Sequence, residues 1–301
     1  KPPRNILLAF FADEEASGTY GSRWLVKNRP ELFAGCSEAV SEVGGFSVTI
    51  NGGHRLYLVE AAQKGIAWIK LSAKGTAGHG SFINRDNAVT KVSDAVSRIG
   101  NYQWPQLLTK TTSQFFKKIA ELTGDKFDPK NVQPLLNHLG NAVKMLGATI
   151  SNTANPTMLE AGYKANVIPQ NASAVIDGRF LPGYENDLHE TIKKLAGDEI
   201  EVEILTRDIA LEAEFAGPLV EAMCKAINVE DSAGIPVPYL MSGGTDNKAL
   251  HDLGIVGYGF SPLRLPEDLD FFALFHGVDE RVPIDGLKFG VRVLYEFLGN
   301  I

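Results

Sequence analysis

The chain has 301 residues, 44% apolar and 22% charged, with a formal net charge of -7. That length suits one large or two ordinary domains with an ample core. The acidic balance without a Lys/Arg block argues against nucleic acid as a partner, and no apolar run reaches the ~18 residues of a membrane helix. Cys36 and Cys224 are the only cysteines. Two thiols so far apart fit a reducing, cytoplasmic setting, with a single disulfide as the alternative.

In chain order, the apolar run NILLAFFA (Asn5 to Ala12) has the length and composition of a parallel strand covered on both faces. It runs into Asp13, Glu14 and Glu15, and a helix is expected from Ser22 to Lys27. CSEAVSEVGG then predicts a second short strand ending near Glu42. Strand, crossover and strand describe an α/β sheet whose site lies at the strands' carboxyl ends. From Lys64 the pattern alternates apolar and polar residues (GIAWIKLSAKG), as in a sheet with one wet face. A helix over about Asn87 to Ile99 follows, with Ala88, Val92, Ala95, Val96 and Ile99 on one side. ASAVIDGRFLPG is another strand, Glu185 to Leu195 a polar-faced helix, and EIEVEILTRD a further strand. The expectation is a small α+β domain inserted into the first, with the Lys-rich, helical stretch from Asn101 to Ala148 as an addition to that insert. From Ile209 the α/β texture returns: a helix over Phe215 to Ile227, a strand in GIPVPYLMSGGTD, a buried strand in GIVGYGF and a closing helix over Ile284 to Leu298.

Three consecutive acids repel one another and are costly to gather unless a cation or a function compensates; the alternative is a solvated turn. Hydrolytic metal chemistry needs a ligand and a general base side by side, and Glu14 with Glu15 could supply both. Glu42 ends the next strand. His276, in LFHGVDERVPIDGL, has the setting of a ligand on a loop, or of an ordinary surface histidine. Glu15, Glu42 and His276 together make an oxygen and nitrogen donor set suited to zinc, manganese or cobalt.

Six ordered motifs carry a family resemblance: FFADEEASGTYGS, SEVGG, KGTAGHGS, GYKANVIPQNASAVIDGRFLPG, MSGGTDNKAL and FHGVDERVPIDGL. Through them the chain resembles, over essentially its whole length, the aminoacylase, succinyl-diaminopimelate desuccinylase and carboxypeptidase S superfamily of metallopeptidases with two co-catalytic zinc ions, and most of all its carboxypeptidase S and dipeptidase branch. The resemblance implies an α/β, mixed-sheet catalytic domain (1–63 and 207–301) with an inserted α+β, ferredoxin-like lid or dimerisation domain (64–206), and either a homodimer formed through that lid or a monomer with an enlarged one. It implies hydrolysis of an amide bond in small peptides or N-acyl amino acids. Glu14 then matches the general base, Glu15 a ligand of one metal together with His276, and Glu42 a ligand of the other. His79 matches a histidine that polarises the scissile carbonyl, or is a polar turn residue. Asn166 and Arg179 match groups that hold the substrate; for Arg179 a structural salt bridge is the rival. Gly243, Gly244 and Thr245 match a pocket-lining loop, or simply make a turn. The superfamily's His-x-Asp motif and bridging aspartate belong upstream of Glu14, where thirteen residues contain neither. The expectation is therefore a chain beginning inside its catalytic domain, inactive as it stands, from a parent hydrolase. The rivals are an aminopeptidase of the related Glu-Glu zinc class, against which the insert with His79 speaks, and a non-catalytic homologue or binding module.

Overall fold

The computed structural model describes residues 2–301; Lys1, which opens the first expected segment, lies outside them. In chain order the strands are β1 (Glu38–Ser41), β2 (Phe46–Ile50), β3 (His54–Gln63), β4 (Gly65–Lys74), β5 (Gly78–His79), β6 (Thr153–Ala161), β7 (Val167–Ile168), β8 (Asn171–Phe180), β9 (Glu201–Asp208), β10 (Leu211–Glu212), β11 (Ile235–Met241) and β12 (Val256–Gly259). They fall into two compact units. The first comprises the chain up to Gln63, Leu108–Ile150 and Leu211–Ile301; the second comprises Lys64–Leu107 and Ser151–Ala210.

The first unit is built on a mixed sheet with β3 at its centre. β11 runs parallel to β3 from Ile235↔Leu56 to Met241↔Gln63, and β2 runs antiparallel to it from Phe46↔Leu58 to Ile50↔His54. β12 meets β3 at Gly259↔Glu60 and carries β1 in parallel, with Ser41 opposite Gly259. The ends of β1, β3, β11 and β12 therefore converge around Glu60 and Gln63. Successive side chains of β3 alternate between two layers of core. Leu56 and Leu58 join a cluster with Phe115, Phe116 and Ile119, whereas Tyr57, Val59 and Ala61 join one with Met223, Phe289 and Val293. A run that is apolar at nearly every position is what a strand covered on both faces requires.

The second unit alternates instead. Ala67, Ile69, Leu71 and Ala73 of β4 are buried, and Trp68 and Lys74 are exposed. The sheet order is β6-β8-β4-β9, antiparallel throughout. With the helices Ala88–Gly100 and Glu185–Ala196 the succession is strand, helix, strand, strand, helix, strand, a ferredoxin-like α+β arrangement. Ala88, Val92, Ala95 and Ile99 pack against Ile69, Leu71, Ile176 and Leu188, and the Asn87 side chain caps the helix by accepting from the Val89 N–H at 2.9 Å.

Two expectations fail. Asn5 to Ala12 forms no strand: the stretch is irregular, and Leu7, Leu8 and Phe10 are exposed, Phe10 at 92%. Strand pairing needs a neighbour with a free edge in register, and among the described residues nothing pairs with this run; Arg4 instead bonds Glu38 at 2.7 Å, and Phe11 stacks obliquely on Phe33. The second correction concerns residues 108–150, which belong to the first unit and not to the insert. The helix Lys110–Thr123, closed at its start by a Thr109–Thr112 capping box, lays Phe115, Phe116, Ile119 and Ala120 on the core beneath β2, β3 and β11, and Leu135, Leu136, Leu139 and Leu146 extend it. Its lysines occupy the wet side. The second unit likewise runs on to Ala210. Among the described residues no helix is long and apolar enough to cross a membrane, and Cys36 and Cys224 are free thiols.

Candidate active site

Glu14 and Glu15 lie on a single 3-10 turn, Glu14–Ala16, and not at the end of a strand. Left-handed residues bracket the turn, Asp13 at φ 69° and Ser17 at φ 78°, a conformation that non-glycine residues adopt only when their surroundings impose it. The Asp13 carboxylate accepts from the Tyr20 N–H at 2.9 Å, and the Gly18 N–H bonds back to the Asp13 carbonyl at 2.7 Å. Gly21 closes the hairpin-like approach. A Cβ there would stand 1.8 Å from the Ala12 carbonyl oxygen, so no other residue fits without moving the turn.

Glu42 follows the last residue of β1, and the Ser242–Asp246 loop follows β11. Gly44, at φ 110°, carries the chain onward from Glu42; a Cβ there would stand 2.4 Å from the Gly259 carbonyl oxygen. The electrostatics join these segments. Burial first, then the charges of Glu42, Asp246 and Glu15, push the Glu14 carboxyl up to about 7. Burial, Asp246 and Glu15 also raise Glu42. Burial raises Asp246 against the opposing effects of a Ser22 hydrogen bond and Arg23. Four carboxyl groups thus share one region, and Glu14 is poised to take or give a proton near neutrality.

The Asp246 carboxylate has no role in the site expected from sequence, although Asp246 follows Thr245 in MSGGTDNKAL; its acidic neighbours are distant in the chain, so no spacing marks it. Thr245 is buried and fixed by Gln63, which donates from Nε2 to Thr245 Oγ1 at 2.8 Å and accepts from the Thr245 N–H at 3.1 Å. A Cβ on Gly243 would make only an ordinary contact with the Met241 methyl at 3.7 Å, and a Cβ on Gly244 would strike the Lys248 side chain at 2.7 Å.

His276 is exposed on the loop after Phe271–Leu274, with left-handed backbone at φ 54°. Among the described residues no three His, Cys, Asp or Glu gather closely enough to hold a metal ion, so Glu15, Glu42 and His276 are not assembled as a ligand set. The carboxylates have the chemistry a divalent cation needs, being oxygen donors whose repulsion a cation would relieve. They do not by themselves fit a closed centre.

The remaining candidates lie in the second unit. His79 sits on β5, its Nδ1 2.8 Å from Ser81 Oγ, and pairs with Val167 of β7. Asn166 adjoins it, its carbonyl accepting from the Gly80 N–H at 2.9 Å; both side chains are solvent-accessible. Arg179 forks onto Asp177, two residues away on β8, with contacts of 2.6 and 3.0 Å. Its bidentate capacity is therefore engaged within the strand.

Residues 61–202 match the family described as the peptidase dimerisation domain. The whole chain is 28% identical to a probable carboxypeptidase S-like 2 of Dictyostelium discoideum and covers 60% of it. Over 99% of its length it is 25% identical to the N-fatty-acyl-amino acid synthase/hydrolase PM20D1 of Homo sapiens, covering 62%. The chain thus spans about three fifths of the curated relatives it matches. In fold it is similar to the M20 family metallo-carboxypeptidase Sso-CP2 of Sulfolobus solfataricus, with a TM-score of 0.66 at 17% identity over 96% of this chain and 68% of that one. Over residues 61–202 the chain thus matches the peptidase dimerisation domain family, and it is also similar, at 24–25% identity, to carboxypeptidase S of Saccharomyces cerevisiae and aminoacylase-1 of Homo sapiens.

Proposed function

We propose that the protein carrying this chain hydrolyses an amide bond in dipeptides or N-acyl amino acids. The supporting observation is Glu14, a half-buried carboxyl raised to about 7 by burial and by Glu42, Asp246 and Glu15. A group titrating there can accept a proton from water and return it to a leaving amine without a large penalty in either direction. Glu15, Glu42 and His276 are this chain's proposed share of a divalent-metal site, with zinc the metal that best suits carboxylate and imidazole together. Such a metal, when bound, polarises the carbonyl and lowers the pKa of water.

His79 is proposed to donate to the developing oxyanion and Asn166 to hold the peptide group. The loop of Gly243, Gly244 and Thr245 is proposed to line the pocket with backbone groups of the two glycines, since the Thr245 N–H is taken by Gln63. Arg179 would hold a substrate carboxylate only by sharing its fork with Asp177, which weakens that assignment. The dimerisation-domain match over residues 61–202 supports a homodimer formed through the second unit.

The test is hydrolysis of an N-acetyl-amino acid panel and a dipeptide panel by the purified protein, with zinc supplied and then removed by chelation. The expected result is turnover of at least one panel that is lost on chelation. Absence of turnover on both panels with metal supplied would overturn the reading.

A further inference from the structure

Behind the acidic turn lies a polar network that the reaction as described does not use. Glu60 and Gln63 of β3 are each 1% exposed, in a strand whose other central residues are apolar, and Thr245 and Asn247 are also buried, at 6% and 1%. The Gln63 amide uses both ends. Its oxygen accepts from the Thr245 N–H at 3.1 Å. Its nitrogen donates to Thr245 Oγ1 at 2.8 Å and to Glu60 Oε2 at 3.3 Å. Thr245 Oγ1 also accepts from the Asn247 N–H at 3.2 Å, and Asn247 Nδ2 donates to Ser41 Oγ at 2.9 Å and to the Tyr258 carbonyl at 3.3 Å. The chain of bonds thus runs from β3 through the loop after β11 to the last residue of β1. Glu42 follows Ser41 directly, and Asp246 stands between Thr245 and Asn247.

An apolar residue at 63 would serve the core better, because a buried amide repays its desolvation only when fully hydrogen-bonded. The fold therefore does not need an amide there, whereas the loop does: without it the Thr245 N–H and hydroxyl lose partners inside the protein. We propose that Gln63 is a positioning residue, clamping the Ser242–Asp246 loop to β3 so that Asp246 and Glu42 hold their places beside Glu14. The catalytic part of this proposal rests on the hydrolase reading; the clamp itself does not.

The test pairs amide hydrogen exchange with steady-state kinetics in the protein carrying Gln63→Met or Gln63→Glu. In Gln63→Met the Thr245 amide should exchange roughly 3–10-fold faster, the scale of one lost hydrogen bond, while Leu58 of β3 and Val237 of β11 are unchanged. The turnover number should fall ~10-fold with KM unaltered, as small misplacements of catalytic groups do. Gln63→Glu is isosteric and keeps an acceptor for the Thr245 N–H while losing the donor to the Thr245 hydroxyl and to Glu60 Oε2. Thr245 should stay protected within about two-fold while turnover still falls. Unchanged Thr245 exchange in Gln63→Met, or uniform acceleration across β3 and β11, would overturn the clamp. Normal turnover in both variants would overturn its catalytic part. A wild-type protein without hydrolase activity would sink the functional reading, with the exchange data still deciding the clamp.

Discussion

Carboxyl groups near the ends of β1, β3 and β11 resist ionisation first because little water reaches them; at Glu14 and Glu42 acidic neighbours add to the effect. Glu60 is the extreme case, fully buried and pushed up to about 8 from an ordinary 4.5 by desolvation, against the opposing pull of a Gln63 hydrogen bond and the Lys248 charge. A folded-state value above the unfolded one means that the native protein binds the extra proton, so its stabilising effect is complete below about 4.5. It is lost as the pH rises towards 8. Denaturant unfolding should show Glu60→Gln losing less stability than the wild type between pH 5 and 8; parallel pH profiles would count against a protonated Glu60. The sequence makes Glu14, Glu15 and Glu42 legible because acids beside apolar runs stand out. Glu60 and Gln63 are hidden within VEAAQKG, where two polar letters read as noise in a strand. Asp246 is hidden because what makes it part of the site is proximity in space. Arg179 shows the reverse: its type suggested substrate binding, and only the geometry reveals Asp177 already in its fork.

At the scale of elements, periodicity served best where an element has one wet face. The helix Ala88–Gly100 and strands β4, β8 and β9 lie within a few residues of their expected positions, because alternation and the helical stripe record which side meets the core. Asn5 to Ala12 misled because composition specifies that a run wants burial and not what it pairs with. The segment 108–150 misled for a related reason: position in the chain between two parts of the insert is no guide to which core its apolar side joins. Phe116, fully buried against that core, tests the assignment. Phe116→Ala should cost ~3–5 kcal/mol, measured by denaturant unfolding, and hydrogen exchange should speed up in β2, β3 and β11 before β4 and β8. Acceleration confined to β4 and β8 would return the segment to the insert.

At the scale of the whole molecule, the chain crosses between its two units four times, at 63/64, 107/108, 150/151 and 210/211, so each unit's core is completed by segments distant in sequence. The second unit keeps apolar side chains in the open, including Met158 on the edge strand β6 at 52% exposure and Ile204 on β9 at 48%, and edge strands left open in this way invite pairing. The proposed homodimer predicts that the protein sediments as a dimer at micromolar concentration and that Met158→Asp shifts it towards monomer; a wild-type monomer under those conditions would refute it. The central claim is that Glu14 moves the proton, and the most direct measurement is the turnover number of Glu14→Gln in the protein carrying this chain, on whichever panel substrate the wild type hydrolyses. Glutamine keeps the size and hydrogen bonding of the side chain and removes the proton acceptor, so turnover should fall at least ~100-fold with metal content unchanged, whereas Glu15→Gln should lower metal content; near-normal turnover in Glu14→Gln would contradict the account.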